Sequence, residues 1–283
     1  MTHIHIIGDQ GQRKYDEDLV SQVNQEIEAK VRREELEKKI GDLQARLESE
    51  QENPKPKFKN FTIDELVIAG REYIWLPQTK SQFTIEHPTL GGDGIGIAKQ
   101  KQHHGKNWYQ AHAELHGSGL YMLRIDEFVQ FLNLLRRSDV VYDLAGNRIT
   151  KDESRSIYGE ITEHRDPWRG EWLDVNFKVG PLTNKLRLNT NHRTDGKLVP
   201  LSSEELESCV MKDCYIDLLS STNSQGLPTK ESNSQVFWFE HPRSNNDSVT
   251  RFIALNSGAR LNCYWSPEST NAALTVRPSI KLK

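Results

Sequence analysis

The C-terminal part of the chain alternates between apolar and polar residues, and this alternation constrains the fold more than any other feature. Ala259, Leu261 and Cys263 occupy alternate positions, and the residues between them are polar or amphipathic. Successive side chains of a β-strand point to opposite faces, so this period predicts a half-buried strand. A second strand-like run, 248–255, precedes the turn residues 256–258, so two strands flanking a turn are expected.

The polar face of the predicted strand indicates a binding surface. Its side chains combine aromatic rings, which supply contact area, with amide, hydroxyl and charged groups, which supply hydrogen bonds. They contain no arrangement that catalysis requires, so we predict ligand binding, with no catalytic residues and no cofactor. The predicted ligand-contacting residues in this region are Asn256, Ser257, Arg260, Asn262, Tyr264, Trp265, Ser266, Glu268, Ser269 and Asn271.

The segment 236–242 adds two aromatic residues to this prediction. Phe237 and Phe239 alternate with Trp238, so one aromatic face is exposed if the segment is a strand. Exposed Phe237 and Phe239 would enlarge the binding surface, and they are included among the predicted contacts. Simple core packing of the two phenylalanines is the alternative that the sequence leaves open.

The same tract carries a family resemblance. It contains Ser-Val-x-Arg-Phe at 248–252, Leu-x-Cys at 261–263, and a proline followed by Ser-x-x-Ala-x-Leu-x-Val-Arg at 269–277. This frame resembles the end of the variable proteins of diversity-generating retroelements. In that family an error-prone reverse transcriptase rewrites adenines in a C-terminal cassette, and the variable domain has a C-type-lectin fold of the formylglycine-generating-enzyme type.

The resemblance implies an α+β, C-type-lectin-like domain over 61–283, with a variable region at about 236–278. It implies a display protein that binds varied protein or glycan ligands. We expect the last strand, 273–280, to pair with an early strand at 73–76, and Asn262, Tyr264 and Glu268 to face solvent. The residues expected to hold the fold are Val249, Phe252, Leu261, Cys263, Leu274 and Val276.

The first sixty residues differ in character from the rest. Residues 14–50 place apolar side chains at heptad intervals among many charges, which predicts a coiled-coil helix and a homo-oligomer formed through it. A lone charged helix docked on its own domain is the alternative. Residues 1–13 form a tail, and the prolines within 51–60 predict an extended linker.

Composition excludes several partners and compartments. The net charge of −3 gives no general attraction to nucleic acid, and no apolar run is long enough to insert into a membrane. The N-terminus lacks the pattern of a secretory signal, so a virion or the cytoplasm is compatible with the sequence. The three cysteines lack the spacing of a metal or redox motif and are predicted to be free thiols.

Two histidines supply the best case for a metal site, and it is weak. His112 and His116 would face the same way on a helix, but Glu114 is misplaced for a His-Glu-x-x-His motif. The pair partly resembles the His-x-x-x-His-x-Glu motif of iron-dependent sulfoxide synthases, with Ser118 in place of the glutamate. We therefore predict hydrogen-bonded or surface histidines and no metal. A metal-dependent enzyme of this fold, or an undiversified viral attachment or structural subunit, is the alternative function.

The remaining elements are predicted from periodicity. They are a strand at 73–77, a bend-rich stretch at 83–97, a helix at 120–135, a helix at 157–172, strands at 172–179 and 185–192, and a short helix from Ser202 or Ser203 to Met211. The Trp-rich segment 166–172 suits either a sugar-stacking platform or the framework of the fold.

Overall fold

The fold is mixed α+β and consists mostly of sheet. The computed structural model describes residues 70–77, 94–180, 185–195, 197–234, 236–243 and 247–282, all within one compact unit, Phe58–Lys283. The predicted tail, coiled coil and linker, together with the region 78–93, lie outside the described residues. None of the described helices is long and apolar enough to cross a membrane.

Three helices are found in the described part of the chain. They are α1 (Trp108–Gly117), α2 (Ile125–Arg137) and α3 (Lys151–Thr162). The side chains of Asn107 and Thr150 cap α1 and α3 by accepting from backbone amides of the first turn. The predicted helix at 120–135 is thus confirmed with a later start, whereas the one predicted at 157–172 lies earlier, at α3.

The strands follow in chain order. They are β1 (Tyr73–Pro77), β2 (Gly94–Ala98), β3 (Tyr121–Met122), β4 (Val141–Tyr142), β5 (Arg148–Ile149), β6 (Arg169–Val179), β7 (Leu186–Asp195), β8 (Lys197–Glu205), β9 (Cys214–Ile216), β10 (Phe237–Glu240), β11 (Ser248–Leu255), β12 (Gly258–Trp265), β13 (Leu274–Thr275) and β14 (Pro278–Leu282). A small sheet has the order β1-β2-β14-β3, and a large sheet has the order β8-β7-β6-β11-β12-β10-β9, with β13 also on β6. Strands β4 and β5 form a separate pair.

The C-terminal strands confirm the alternation argument. Strands β11 and β12 pair antiparallel around the turn at Asn256 and Ser257, and Gly258 has a φ of +124°, which favours glycine. The six residues expected to hold the fold are all buried; they are Val249, Phe252, Leu261, Cys263, Leu274 and Val276.

The predicted pairing of the last strand was wrong in detail. The chain leaves the large sheet at β13 and enters the small sheet at β14, which pairs with β2 and β3 instead of β1. Strand β1 is the other neighbour of β2, so the early strand and the last strand share one sheet without touching directly.

Two local predictions failed for identifiable reasons. Residues 202–205 belong to strand β8, which pairs with β7 along its length, so long-range pairing outweighs the helix-start signal at Ser202. The end of the bend-rich stretch is strand β2. A Cβ at Gly94 would lie 2.3 Å from Trp75 Nε1, and one at Gly96 would lie 2.5 Å from Leu144 Cδ1. These glycines serve close packing of a strand and do not mark a loop.

Two apolar cores hold the elements together. The larger one joins α2, α3, the small sheet and the inner face of the large sheet, where Phe128, Phe237 and Phe252 meet. The smaller one lies on the outer face of the large sheet under α1, and it contains Trp108 and Trp172. Beyond this second core, the outer face carries the predicted binding residues Arg260 and Asn262 of β12.

Candidate functional site: the outer face of the large sheet

The outer face of β12 and its neighbours carries a row of polar side chains. In the strand register, Glu240 of β10 lies beside Asn262 of β12. Asn262 in turn lies beside Arg251 of β11, and Arg251 lies beside Trp172 of β6. Residues in register on neighbouring strands point to the same face. This row lies on the side of the sheet opposite the large core. We call the row, together with the neighbouring outer-face residues described below, the display face.

Glu240 organises the centre of the display face. Its carboxylate accepts from Arg260 Nη1 at 3.1 Å and also accepts a hydrogen bond from the amide of Asn262. Glu240 is 8% exposed and Asn262 is 1% exposed. The carboxylate therefore holds two of the predicted ligand-contacting side chains against the sheet, because both donate to it from the same strand.

Arg251 is the unusual member of the row. It is 5% exposed, and its Nε and Nη1 atoms are buried without a hydrogen-bond partner. Its guanidinium stacks on Trp265 at 3.3 Å and lies 5.3 Å from the ring of Trp168. The indole Nε1 of Trp265 is also buried and unpaired. Two donor-only groups, which offer no acceptor of their own, thus adjoin each other with unused N–H bonds.

Burial makes this arginine electrostatically costly. Desolvation lowers the pKa of Arg251 to about 10, although the charges of Glu240 and Tyr264 act to raise it. For a base, a folded pKa below the unfolded value means that the charged form is less stable in the fold. The cost is therefore present at neutral pH and disappears only as the pH rises above about 10.

The edges of the display face are open to solvent. Tyr264 is half-buried, with the guanidinium of Arg243 at 4.2 Å from its ring. The β12–β13 loop exposes Ser266, Glu268 and Asn271 and half-exposes Ser269, and the β11–β12 turn exposes Asn256 and Ser257. An eight-residue strand separates loop and turn, so they lie about 25 Å apart, one at each end of β12.

Three predicted ligand contacts are corrected by burial. Phe237 and Phe239 are 1% and 0% exposed and belong to the large core, so the outer face of β10 carries Trp238. Asn262 was expected to face solvent and is buried in its bond to Glu240. Of the three residues chosen as markers of exposure, Tyr264 is half-exposed and Glu268 is exposed.

Several residues of the display face were not predicted. Trp238 and Tyr215 pack edge to face at 4.8 Å, on the same side as Arg260. The sequence analysis names Arg251 only within the family frame and does not single out Glu240, and it leaves the segment of Trp168 open between a sugar-stacking platform and the framework. A usable signal existed in the alternation of Tyr215 between Cys214 and Ile216, but the pairing of distant strands decides which aromatic residues share a face.

The display face yields a stability prediction that separates its two aromatic residues. Trp265→Ala should lower the free energy of unfolding by about 1.5 kcal/mol, because it removes packing on the smaller core and the stacking on Arg251. Tyr264→Ala should change it by less than about 0.5 kcal/mol, because its ring meets a surface arginine. Urea unfolding of both variants measures the difference, and equal losses would contradict the assignment.

The thiols of the described residues lack the environment of a reactive cysteine. Cys263 is fully buried, and burial raises the pKa of its thiol. Burial also raises the pKa of Cys214, and it raises that of Cys209 to about 11. Nucleophilic and redox cysteines need a lowered pKa, since the thiolate is the reactive form.

A second cluster consists of three buried residues where α1 packs on the large sheet. His112, Asp174 of β6 and His192 of β7 place their ligand atoms within 4.8 Å of one another. His116, the other predicted member of the histidine pair, instead meets Thr194 Oγ1 through Nδ1 at 2.6 Å. The spacing in sequence therefore identified one of three clustered residues, since the other two come from distant strands.

Comparison with protein-family models, with curated proteins and with solved structures gives no significant match to this chain.

Proposed function

We propose that this chain is a ligand-binding display protein whose C-terminal surface is diversified by a retroelement to recognise varied protein or glycan targets. The proposal includes a C-type-lectin fold of the formylglycine-generating-enzyme type for the domain at 61–283. Its basis is the resemblance of the C-terminal frame to that of the retroelement variable proteins. A difference in burial between the frame residues and the residues between them also supports it.

One observation carries the proposal. The apolar frame residues named above are all buried, whereas the predicted contact residues of the β11–β12 turn and of the β12–β13 loop are exposed or half-exposed. Substitutions at exposed positions without special contacts usually change stability by about 0.5 kcal/mol or less. The scaffold therefore tolerates replacement of the turn and loop residues without loss of the fold, which a diversified surface requires.

Closure of the domain supports the same proposal. Strand β14 follows β13 after a short connection, and it is held between β2 and β3 in the small sheet. The C-terminal end of the chain is thus anchored independently of the β12–β13 loop. Changes in that loop leave both of its anchors, β12 and β13, in place.

The fixed part of the display face indicates the chemistry of the ligand. Arg251 Nε, Arg251 Nη1 and Trp265 Nε1 are unpaired N–H donors that lie buried beside half-buried aromatic rings. Donors without acceptors favour a ligand group rich in acceptor oxygens, such as a carboxylate or a carbonyl. Aromatic rings and a guanidinium are also the groups enriched at energetic centres of protein interfaces. We propose that this constant centre binds an acceptor group while the variable edges set specificity.

Residues 14–50 enter the proposal as the oligomerising segment. A coiled coil would present several display faces at once and would raise weak single-site binding by roughly two to four orders of magnitude through avidity. Light scattering on the full chain tests this part, and a monomeric mass contradicts it.

Deep sequencing of the locus across a population tests the diversification. We expect substitutions confined to adenine-containing codons, concentrated at the exposed turn and loop positions, with Phe237 and Phe239 constant because they fill the core. The frame codons for Val249 and Leu261 serve as the internal control. Random drift would change their synonymous sites as often as those of the turn and loop codons. A uniform sequence over 256–271 would refute diversification and favour the attachment or structural subunit.

A further inference from the structure

We propose that His112, Asp174 and His192 form a structural site for one divalent transition-metal ion, with Zn²⁺ as its best-suited occupant. The site is separate from the display face and does not depend on the proposed function. It lies where α1 packs on the outer face of the large sheet, and its three side chains come from α1, β6 and β7.

The donor set fits such an ion. Two imidazole nitrogens and one carboxylate oxygen are common ligands of zinc and related metals, and the neutral imidazole is the ligating form. Both imidazoles and the carboxylate are buried.

The geometry brings these atoms close to the spacing that a metal imposes. Metal–ligand bonds of about 2.0–2.1 Å at tetrahedral angles place two ligand atoms roughly 3.4 Å apart. His112 Nε2 lies 3.5 Å from Asp174 Oδ1, and His192 Nδ1 lies 2.5 Å from the same oxygen. The first distance already matches, and the second needs a shift of less than about 1 Å.

His112 supplies the observation that points to a missing ligand. It is 0% exposed, and neither of its ring nitrogens has a hydrogen-bond partner. A buried polar group without a partner costs about 1–3 kcal/mol. A metal bound through Nε2 would turn this unpaired nitrogen into a bonded one, whereas a purely hydrogen-bonded cluster leaves both nitrogens unused.

The surroundings resemble the outer shell of a metal site. Trp108 packs edge to face on both rings, at 4.4 Å from His112 and 4.8 Å from His192, and thereby fixes their orientations. The backbone amide of His192 donates to Asp174 Oδ2 at 3.2 Å, while Oδ1 is hydrogen-bonded to His192 Nδ1 and also faces His112 Nε2. Contacts that orient the ligands are a regular feature of such sites. All three ligands are buried, so the ion would hold α1 on the sheet and would not meet a substrate.

Metal content of the full chain, prepared without a polyhistidine tag, tests the site. After loading with Zn²⁺ and dialysis, we expect one zinc per chain by elemental analysis. His112→Phe and Asp174→Asn should each weaken Zn²⁺ binding at least tenfold. His104→Ala, which alters an exposed histidine close to α1, should retain full occupancy. The double variant His3→Ala/His5→Ala should also retain full occupancy, which would exclude binding of the zinc by the N-terminal histidines.

Measurements on the unaltered chain cover the case in which a variant fails to fold. Zn²⁺ at a hundred times its dissociation constant should raise the melting temperature by about 5–10 °C over the chelator-treated protein. Co²⁺ loading should produce visible absorption bands and displace imidazole proton signals by paramagnetic shifts. A chain that retains less than a tenth of an equivalent of zinc and melts at the same temperature with Zn²⁺ or chelator would overturn the proposal.

Discussion

Replacing Arg277 by methionine should lower the free energy of unfolding by about 3–5 kcal/mol, the largest loss that we expect from one substitution in this chain. Arg277 is 2% exposed and binds Glu171 through two nitrogens, at 3.0 Å and 2.7 Å. It also donates to Glu160 and to the carbonyl oxygens of Ala98 and Lys99. The substitution leaves Glu171 buried with an unpaired charge, and that residual charge is the main source of the loss.

The position of Arg277 explains why this ion pair matters for the whole domain. The residue lies between β13 and β14, where the chain passes from the large sheet to the small one. Glu171 belongs to β6 of the large sheet, and Ala98 ends β2 of the small sheet. Burial acts to lower the pKa of Arg277, but Glu171 and Glu160 outweigh it and raise the pKa. The arginine is therefore charged and fully paired.

Urea unfolding of a small set of variants measures this effect. The double variant Arg277→Met/Glu171→Gln should recover part of the loss, because it removes both charges of the buried pair together. Arg155→Met, which alters an arginine with a side chain 76% exposed, should stay within about 0.5 kcal/mol of the unaltered chain. A loss below about 1 kcal/mol for Arg277→Met, or none recovered in the double variant, would contradict the assignment.

Local periodicity predicted the elements whose faces differ clearly in polarity. The alternation from Ala259 to Tyr264 predicted the correct strand and the correct inward residues, because polar side chains alternate with apolar ones along it. The segment 237–239 is aromatic on both faces, so its period defined a strand but left its orientation open. Pairing of β10 with β9 and β12 decides that Phe237 and Phe239 face the core.

The candidate sites depended on contacts that no local pattern records. Arg251 and Trp168 are 83 positions apart in sequence and meet because β11 pairs with β6. His192 lies 80 positions after His112 and reaches it through the packing of α1 on β7. Such sites follow from topology, which composition and spacing determine only indirectly. The glycines of β2 also could not be interpreted from local sequence, because they allow close packing against Trp75 and Leu144, which are distant in the chain.

Arg251→Met should have the opposite sign from Arg277→Met and raise the free energy of unfolding by about 2 kcal/mol. Both arginines are buried, but the unpaired Nε and Nη1 of Arg251 offset none of the cost of removing its charge from water. The lowering of its pKa from 12.5 to about 10 corresponds to a penalty of about 3 kcal/mol. Loss of the stacking on Trp265 reduces this gain by about 1 kcal/mol, and methionine keeps an apolar contact with the two indoles.

The sign of this change tests whether the display face is a binding site. Residues kept for function commonly reduce stability, whereas residues of the framework increase it. Urea unfolding of Arg251→Met alongside Arg277→Met supplies the comparison, and Arg251→Lys is the control, because it keeps the buried charge and should gain nothing. A loss of more than about 1 kcal/mol in Arg251→Met would place this arginine in the framework and remove the proposed acceptor-binding centre. A gain would support ligand recognition as the reason for a buried arginine with unpaired Nε and Nη1 atoms between two tryptophans.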